Sequence, residues 1–291
     1  MSTTLKFITK RRTMRARIGT LLLALVLVCS LVGLNHTSVA AAGTTYYVDN
    51  TNASCSDTNP SAGTAVMPFC TITVAANKAT IAGDTVNVVH GTYAETVYPA
   101  SGSAVNPITF HAVNSDVTVT GNAAGFGSAF AVSAKSYVVI DGFNVFQTKF
   151  KGIYVDSSDH ITISNNHVSY TAINAGPDQH QQGIFLRATT YSTISGNTTE
   201  HNGCTGIRLT NGSNNNTISN NLSYWNSSTI SYPVVVITDA AGIDLFDSNY
   251  NTIIHNITRG NEDTGINLYI GTLGTGSTHN LVIDNLTYAN G

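Results

Sequence analysis

Lys151, Arg187 and Arg208 are three of the few cations downstream of residue 40, and each lies in or beside a recurring four-residue segment. The segment is Gly-Ile-x-[Leu/Val], written five times, from Gly152, Gly183, Gly206, Gly242 and Gly265. In an extended chain the Ile and the Leu or Val share one face, and the residue between them points the other way. That other face reads Tyr154, Phe185, Arg208, Asp244 and Asn267 in successive copies; two residues further on it reads Asp156, Arg187, Thr210, Phe246 and Tyr269. Aromatic faces stack on the C–H surfaces of sugar rings, while Arg and Asp bond hydroxyls or carboxylates. Tyr154, Phe185, Asp156, Asp244 and Tyr269 are therefore candidate substrate-binding residues. Lys151, Arg187 and Arg208 are candidate catalytic residues, because a cation with a lowered pKa can remove a proton. Arg187 and Arg208 fall in adjacent copies, about one strand spacing of roughly 4.8 Å apart, and are expected to depress each other.

The elements that must position these residues are short strands. Each Gly-Ile segment is followed by a second apolar block ending in Asn: Asn166, Asn197, Asn221, Asn256 and Asn285. The Gly-to-Gly steps are 31, 23, 36 and 23 residues, which reads as a unit of 23 with insertions. No helix-period segment separates the blocks, so a βαβ array is excluded. One unit cannot bury its own apolar face, but stacked units share a continuous core. The expected fold is all-β: a right-handed single-stranded parallel β-helix, a three-sided solenoid of about eight coils from Asp84 onward. The five asparagines share one phase and should form an internal ladder. Asn-x-Ser/Thr tripeptides are accordingly read as ladder text rather than as glycan acceptors. The insertions, near Thr171–Gln182 and Ser227–Ala241, should emerge at one corner beside the outward columns and bring His180, Tyr232 and Asp239 over them. His160, His255 and His279 occupy corner positions and read as polar surface residues.

Composition sets the remaining bounds. Charged residues are only 10%, which would suggest disorder were the apolar residues not periodic. Residues 1–40 carry six basic residues and no acid, then an apolar run from Leu21 to Leu34 and small residues suited to cleavage. This reads as a secretory signal peptide, hence a secreted, extracellular or cell-surface protein with no stable membrane insertion after cleavage. Removing it leaves 7 basic against 16 acidic residues, a net charge of −9. Such a surface repels nucleic acid. Residues 41–83 read as an N-terminal cap, with a strand at Tyr46–Val48 and a helix over Thr73–Ile81 stopped by Gly83; residues 84–291 form the repeat domain. Cys55 and Cys70 flank a Pro/Gly/Ser-rich loop and are expected to bridge in an oxidising compartment, leaving Cys204 as a small buried side chain. The pattern runs to Gly291 without a closing element, as in a stretch of a longer chain.

Near the N-terminus, Tyr46-Tyr-Val-Asp49, Met67-Pro-Phe-Cys-Thr-Ile72, Gly83-Asp-Thr-Val86, His90-Gly-Thr-Tyr93 with Glu95, and Asn106-Pro-Ile-Thr-Phe110 follow in order. This run resembles the opening of secreted right-handed β-helix proteins of the pectate-lyase-like superfamily, in the branch of family 9 polysaccharide lyases and their DUF1565-type relatives. The later blocks resemble the parallel β-helix repeats of NosD-like proteins. The resemblance covers about residues 44–291. It implies an acidic polysaccharide as partner and a calcium-assisted β-elimination with a Lys as base; from the outward columns, Asp156 or Asp244 is the residue expected to bridge a Ca²⁺ ion to the uronate. In those enzymes the lysine shortly follows an Asn-x-Asp-Gly-Phe block in a middle coil. Here the one Asp-Gly-Phe is Asp141-Gly-Phe143, in an early coil, with Lys149 after it, so the motif departs from the family pattern.

Three readings stand: a polysaccharide lyase, expected to work as a monomer; a non-catalytic carbohydrate-binding or cell-surface module; and a NosD-like periplasmic protein linked to copper. Scattered Met, His and Cys weigh against the last. No phosphate-binding glycine loop, nucleophile elbow or zinc-spaced Cys/His pair is present.

Overall fold

The computed structural model describes residues 43–125, 127–171, 181–228 and 240–291. The leader read over residues 1–40, and His180, Tyr232 and Asp239, lie outside them. Among the described residues nearly every element is a short strand, and the strands pair in parallel into three sheets of nine, eight and six strands. We name these sheets A, B and C. Successive coils place one strand in each sheet, which makes a three-sided parallel β-helix.

Side-chain alternation explains the register. In sheet A, Ile140, Ile163, Ile194, Ile218 and Ile253 pair in one inward column and are almost wholly buried. In sheet C the Ile and the Leu or Val of each Gly-Ile segment face inward, among them Ile184, Leu186, Ile207 and Leu209, all at 0% exposure. Sheet B differs. Its inward column passes from Val145 and Val168 to Thr199, Ser223 and Thr258, which are small and polar yet buried. The repeated glycine follows from that wall. A Cβ built on Gly206 would lie 2.1 Å from Ser223 Oγ, and one on Gly152 would lie 2.4 Å from Val168. The glycines thus allow sheet B to approach the start of sheet C, and small sheet B residues fill the same space.

The asparagines form three ladders, not one. In the expected ladder, the backbone N–H and the side-chain amide of Asn197 both donate to Asn221 Oδ1, at 2.9 and 3.0 Å. Asn221 does the same to Asn256. Asn202, Asn226, Asn261 and Asn290 repeat the arrangement at a second corner, and Asn216, Asn251 and Asn280 at a third. Each amide satisfies a corner N–H that no sheet can reach, and buried polar groups require such partners. The corners also place His160, His255 and His279 at φ of 52 to 56°, in the left-handed region.

At the N-terminal end, Thr45–Asp49 pairs with Thr85–His90 and so becomes the first strand of sheet A. The helix spans Ile72–Lys78 and buries Ile72, Ala75 and Ala76. Thr71 caps it, and the Glu95 carboxylate accepts from the N–H groups of Ile72 and Thr73 at 3.0 and 2.8 Å. It stops short of the expected Ile81 because Asp84 Oδ2 takes the Ile81 N–H at 2.9 Å. Cys55 and Cys70 are bridged, and Cys204 is buried, with its Sγ 3.9 Å from Gln182 Nε2 and from Thr205 Oγ1. The bridge closes a loop of 15 residues, worth roughly 3 kcal/mol in the loop-entropy model. Reduction is therefore expected to raise amide exchange in residues 50–70 with little change in the later coils. Equal exchange with and without reductant would count against that contribution.

Candidate functional site

Sheet C holds the outward columns in the expected register. Tyr154, Phe185, Arg208, Asp244 and Asn267 face one another along one column. Asp156, Arg187 and Thr210 align in the next, as do Phe246 and Tyr269. Pointing out of the barrel does not mean exposed, however. Phe185, Arg208 and Asp244 are 9%, 7% and 0% exposed. Lys151, one residue before the first Gly-Ile strand, is only 8% exposed.

Lys151 lies in an aromatic slot. Its Nζ is 3.6 Å from the Phe150 ring centroid and 4.7 Å from that of Phe185. The π faces attract the ammonium, but loss of water costs it more. Burial, reinforced by the positive charge of Arg208 and opposed by Cys204, lowers the Lys151 pKa to about 8. Arg208 has its own partners. Its Nε donates to Asp244 Oδ2 at 3.0 Å, its Nη2 donates to Asp244 and to Thr205 Oγ1, and its guanidinium lies 4.6 Å over the Phe246 ring. Phe246 in turn stacks on Tyr269, with centroids 5.2 Å apart and planes 16° apart. Tyr154 stacks on Phe185 at 5.8 Å and 9°. Half-exposed Arg187 approaches Asp156 at 3.5 Å, and Asp156 also accepts from the Tyr154 hydroxyl at 3.2 Å.

This corrects the expected arginine pair. Arg187 faces Thr210 across the strand and Arg208 faces Phe185, so the two do not stand side by side. Each instead meets a carboxylate. The cation whose proton is loosened is Lys151. Asp244 is likewise not an open contact surface: it is buried behind the groove and holds Arg208 in place.

Lys151, Gln182, Phe185, Arg187, Arg208 and Phe246 border one groove of about 380 Å³. Tyr154 and Asp156 flank it, and Tyr269 connects to it through Phe246. Phe150, Gln182 and Thr205 were not among the expected site residues. Their signal lies in the residues just before each glycine, where Lys151, Gln182 and Thr205 align in successive coils. Lys149 turns away and donates to the Ala123 carbonyl at 3.1 Å.

Among the described residues, Asp156 and Asp244 do not converge on one cation position. Calcium requires six to eight oxygen ligands converging at about 2.3–2.6 Å. Asp156 and Asp244 lie on strands three places apart in sheet C, roughly 14 Å at the usual strand spacing. Both are engaged by arginines, and no group of three or more His, Cys, Asp or Glu side chains converges among the described residues.

The three-sheet barrel with its groove on one face defines a parallel β-helix of the pectate-lyase-like fold. The chain belongs to the right-handed β-helix region family, whose model matches residues 70–223 and 178–290. Among solved structures it is similar to the pectate lyase Pel9A, at 16% identity and a TM-score of 0.52, covering 87% of this chain and 81% of that one. It is also similar to the XylC complex with xylose, at 15% identity and a TM-score of 0.54, over 85% of this chain and 62% of that one. The GH136 lacto-N-biosidase from Eubacterium ramulus aligns at 13% identity and a TM-score of 0.53, over 84% of this chain and 56% of that one. At these identities the likeness is one of fold. No curated protein matches the chain. No helix among the described residues is long and apolar enough to cross a membrane.

Proposed function

We propose that this chain is a secreted, carbohydrate-active protein that holds an acidic polysaccharide along sheet C and cleaves it by β-elimination. The observation that carries the reading is Lys151, a lysine of lowered pKa in an aromatic-walled groove. Its neutral amine would take the proton from the carbon bearing the uronate carboxylate. That electron pair becomes the new C=C bond, the adjacent C–O bond to the leaving sugar breaks, and the departing oxygen takes a proton from water. Half-exposed Arg187 borders the groove and suits the uronate carboxylate, where negative charge builds as the proton leaves. Arg208 is buried against Asp244; its role is to help keep Lys151 deprotonated. The similar folds whose names refer to pectate, lacto-N-biose and xylose support a saccharide as ligand. The disulfide and the basic, apolar leader support export.

One observation favours a second reading, a non-catalytic binding module: both arginines of sheet C are already matched by carboxylates. A panel of polyuronides separates the two. Elimination leaves unsaturated ends that absorb in the ultraviolet, and their appearance is the expected result. Retention on an affinity gel without new absorbance would support the module. Neither binding nor absorbance would remove both readings.

A further inference from the structure

The face of sheet B, away from the groove, carries a second cluster of aromatic and charged side chains. At the corner that ends each of the last six sheet B strands, from Asn144–Phe146 onward, the residue has left-handed φ: Gln147, Tyr170, His201, Trp225, Gly260 and Ala289. Glycine occupies that region without strain, and Gly260 shows that this corner accepts it. Bulky residues recur at this position, Tyr170 and His201 among them, so Trp225 adopts the corner geometry common to these coils. It is also the single tryptophan of the chain, and it is 47% exposed.

Two neighbours fix the position of Trp225. A Cβ on Gly260 would lie 2.6 Å from Trp225 Cδ1, so the indole rests on the bare backbone of the next coil. Tyr224 packs edge-on against it, with centroids 5.0 Å apart. The Arg259 guanidinium lies over both rings, 4.6 Å from Tyr224 and 5.1 Å from Trp225. No carboxylate among the described residues pairs with Arg259, unlike Arg187 and Arg208. Glu200, on the strand beside Tyr224, is instead occupied by His167 Nε2 at 2.8 Å and His201 Nδ1 at 2.9 Å. His201 stacks on Tyr170 at 4.9 Å with planes 2° apart. The result is an aromatic ledge that carries one oriented guanidinium with no carboxylate partner among the described residues.

We propose that Trp225, Tyr224 and Arg259 form a second saccharide-binding site, which takes the carboxylate of a uronate residue on Arg259 and its ring against the exposed edge of Trp225. An oriented guanidinium recognises a carboxylate through paired N–H donors, and an aromatic neighbour adds stacking area at little entropic cost. The site lies on a different sheet from Lys151 and does not depend on any chemistry in the groove.

Trp225 supplies its own probe. Titration with a short oligogalacturonate should change its fluorescence saturably, and the fully methyl-esterified oligomer should bind at least about tenfold more weakly, as expected when a charged hydrogen bond is lost. Arg259→Gln should weaken the acid oligomer by a similar factor while circular dichroism stays unchanged. Lys151→Ala should leave the response intact. Three results would overturn the assignment: no fluorescence response, equal binding of acid and ester, or a response abolished by Lys151→Ala but not by Arg259→Gln. Preferential binding of a sulfated oligosaccharide would also overturn it, by replacing the carboxylate as the recognised group.

Discussion

Lys151→Ala is expected to slow cleavage of a polyuronide by a hundredfold or more, since a positioned base contributes about 10²–10⁴ in rate. The fold should survive, because the side chain lies against aromatic rings beside an open groove and not inside the barrel. The wild-type pH profile makes the test sharper. Burial and Arg208 disfavour the ammonium, so the neutral base accumulates as pH rises through about 8. The rate should climb about tenfold per pH unit below that value and level off above it. A second measurement does not need activity. Between about 8 and the ordinary lysine value of 10.5, the unfolded chain binds the proton that folded Lys151 has released. Stability attributable to this residue should therefore rise with pH across that window, and Lys151→Met should flatten the rise. Isotopic methylation followed by NMR titration reads the pKa directly. An ordinary lysine value would remove the basis for a base at this position, whatever the assay shows.

Ile218→Asp is expected to cost more than about 4 kcal/mol and to leave little folded protein, because it buries an unpaired charge. Ile218 is fully buried and pairs in register with Ile194 and Ile253, so no side of it opens to water. Asn221→Leu tests the ladder by a different route. It keeps the volume but strands the Asn197 N–H and the Ile194 carbonyl, each at a cost of about 1–3 kcal/mol. Denaturant midpoints of the two variants should both fall, with Ile218→Asp the more severe. Wild-type stability for Ile218→Asp would mean that this column does not form the core.

Much of this architecture is legible in the chain text because each coil repeats one rule. Ile and Leu two apart name a buried face, and the recurring Asn names a corner. The two further ladders were equally available, since Asn216, Asn221 and Asn226 stand five apart, as do Asn251, Asn256 and Asn261. Reading only the Asn that closes each apolar block hides them. The groove is less legible. Register follows from alternation, so the column containing Arg208 and Asp244 can be read, and their pairing follows from adjacent coils. Burial does not follow, because period two separates inside from outside without saying what covers the outside. The sheet B cluster was missed for a related reason: Glu200-His201 and Tyr224-Trp225 flank a corner, where alternation no longer assigns faces.

The ladders also decide where this protein can vary. From the third ladder through the first to the second, every complete coil counts five residues and five again, through sheets A and B. The return arc, which carries sheet C, has no such constraint: it runs 14 residues from Asn202 to Asn216, 25 from Asn226 to Asn251 and 19 from Asn261 to Asn280. An amide clamped to the same atom in the next coil tolerates no slip, so an added residue within the two clamped walls would throw the ladders out of register. Length drift is thereby channelled to the groove side. The same partition marks the return arc as the place to graft foreign loops, with the other two walls serving as an inextensible frame.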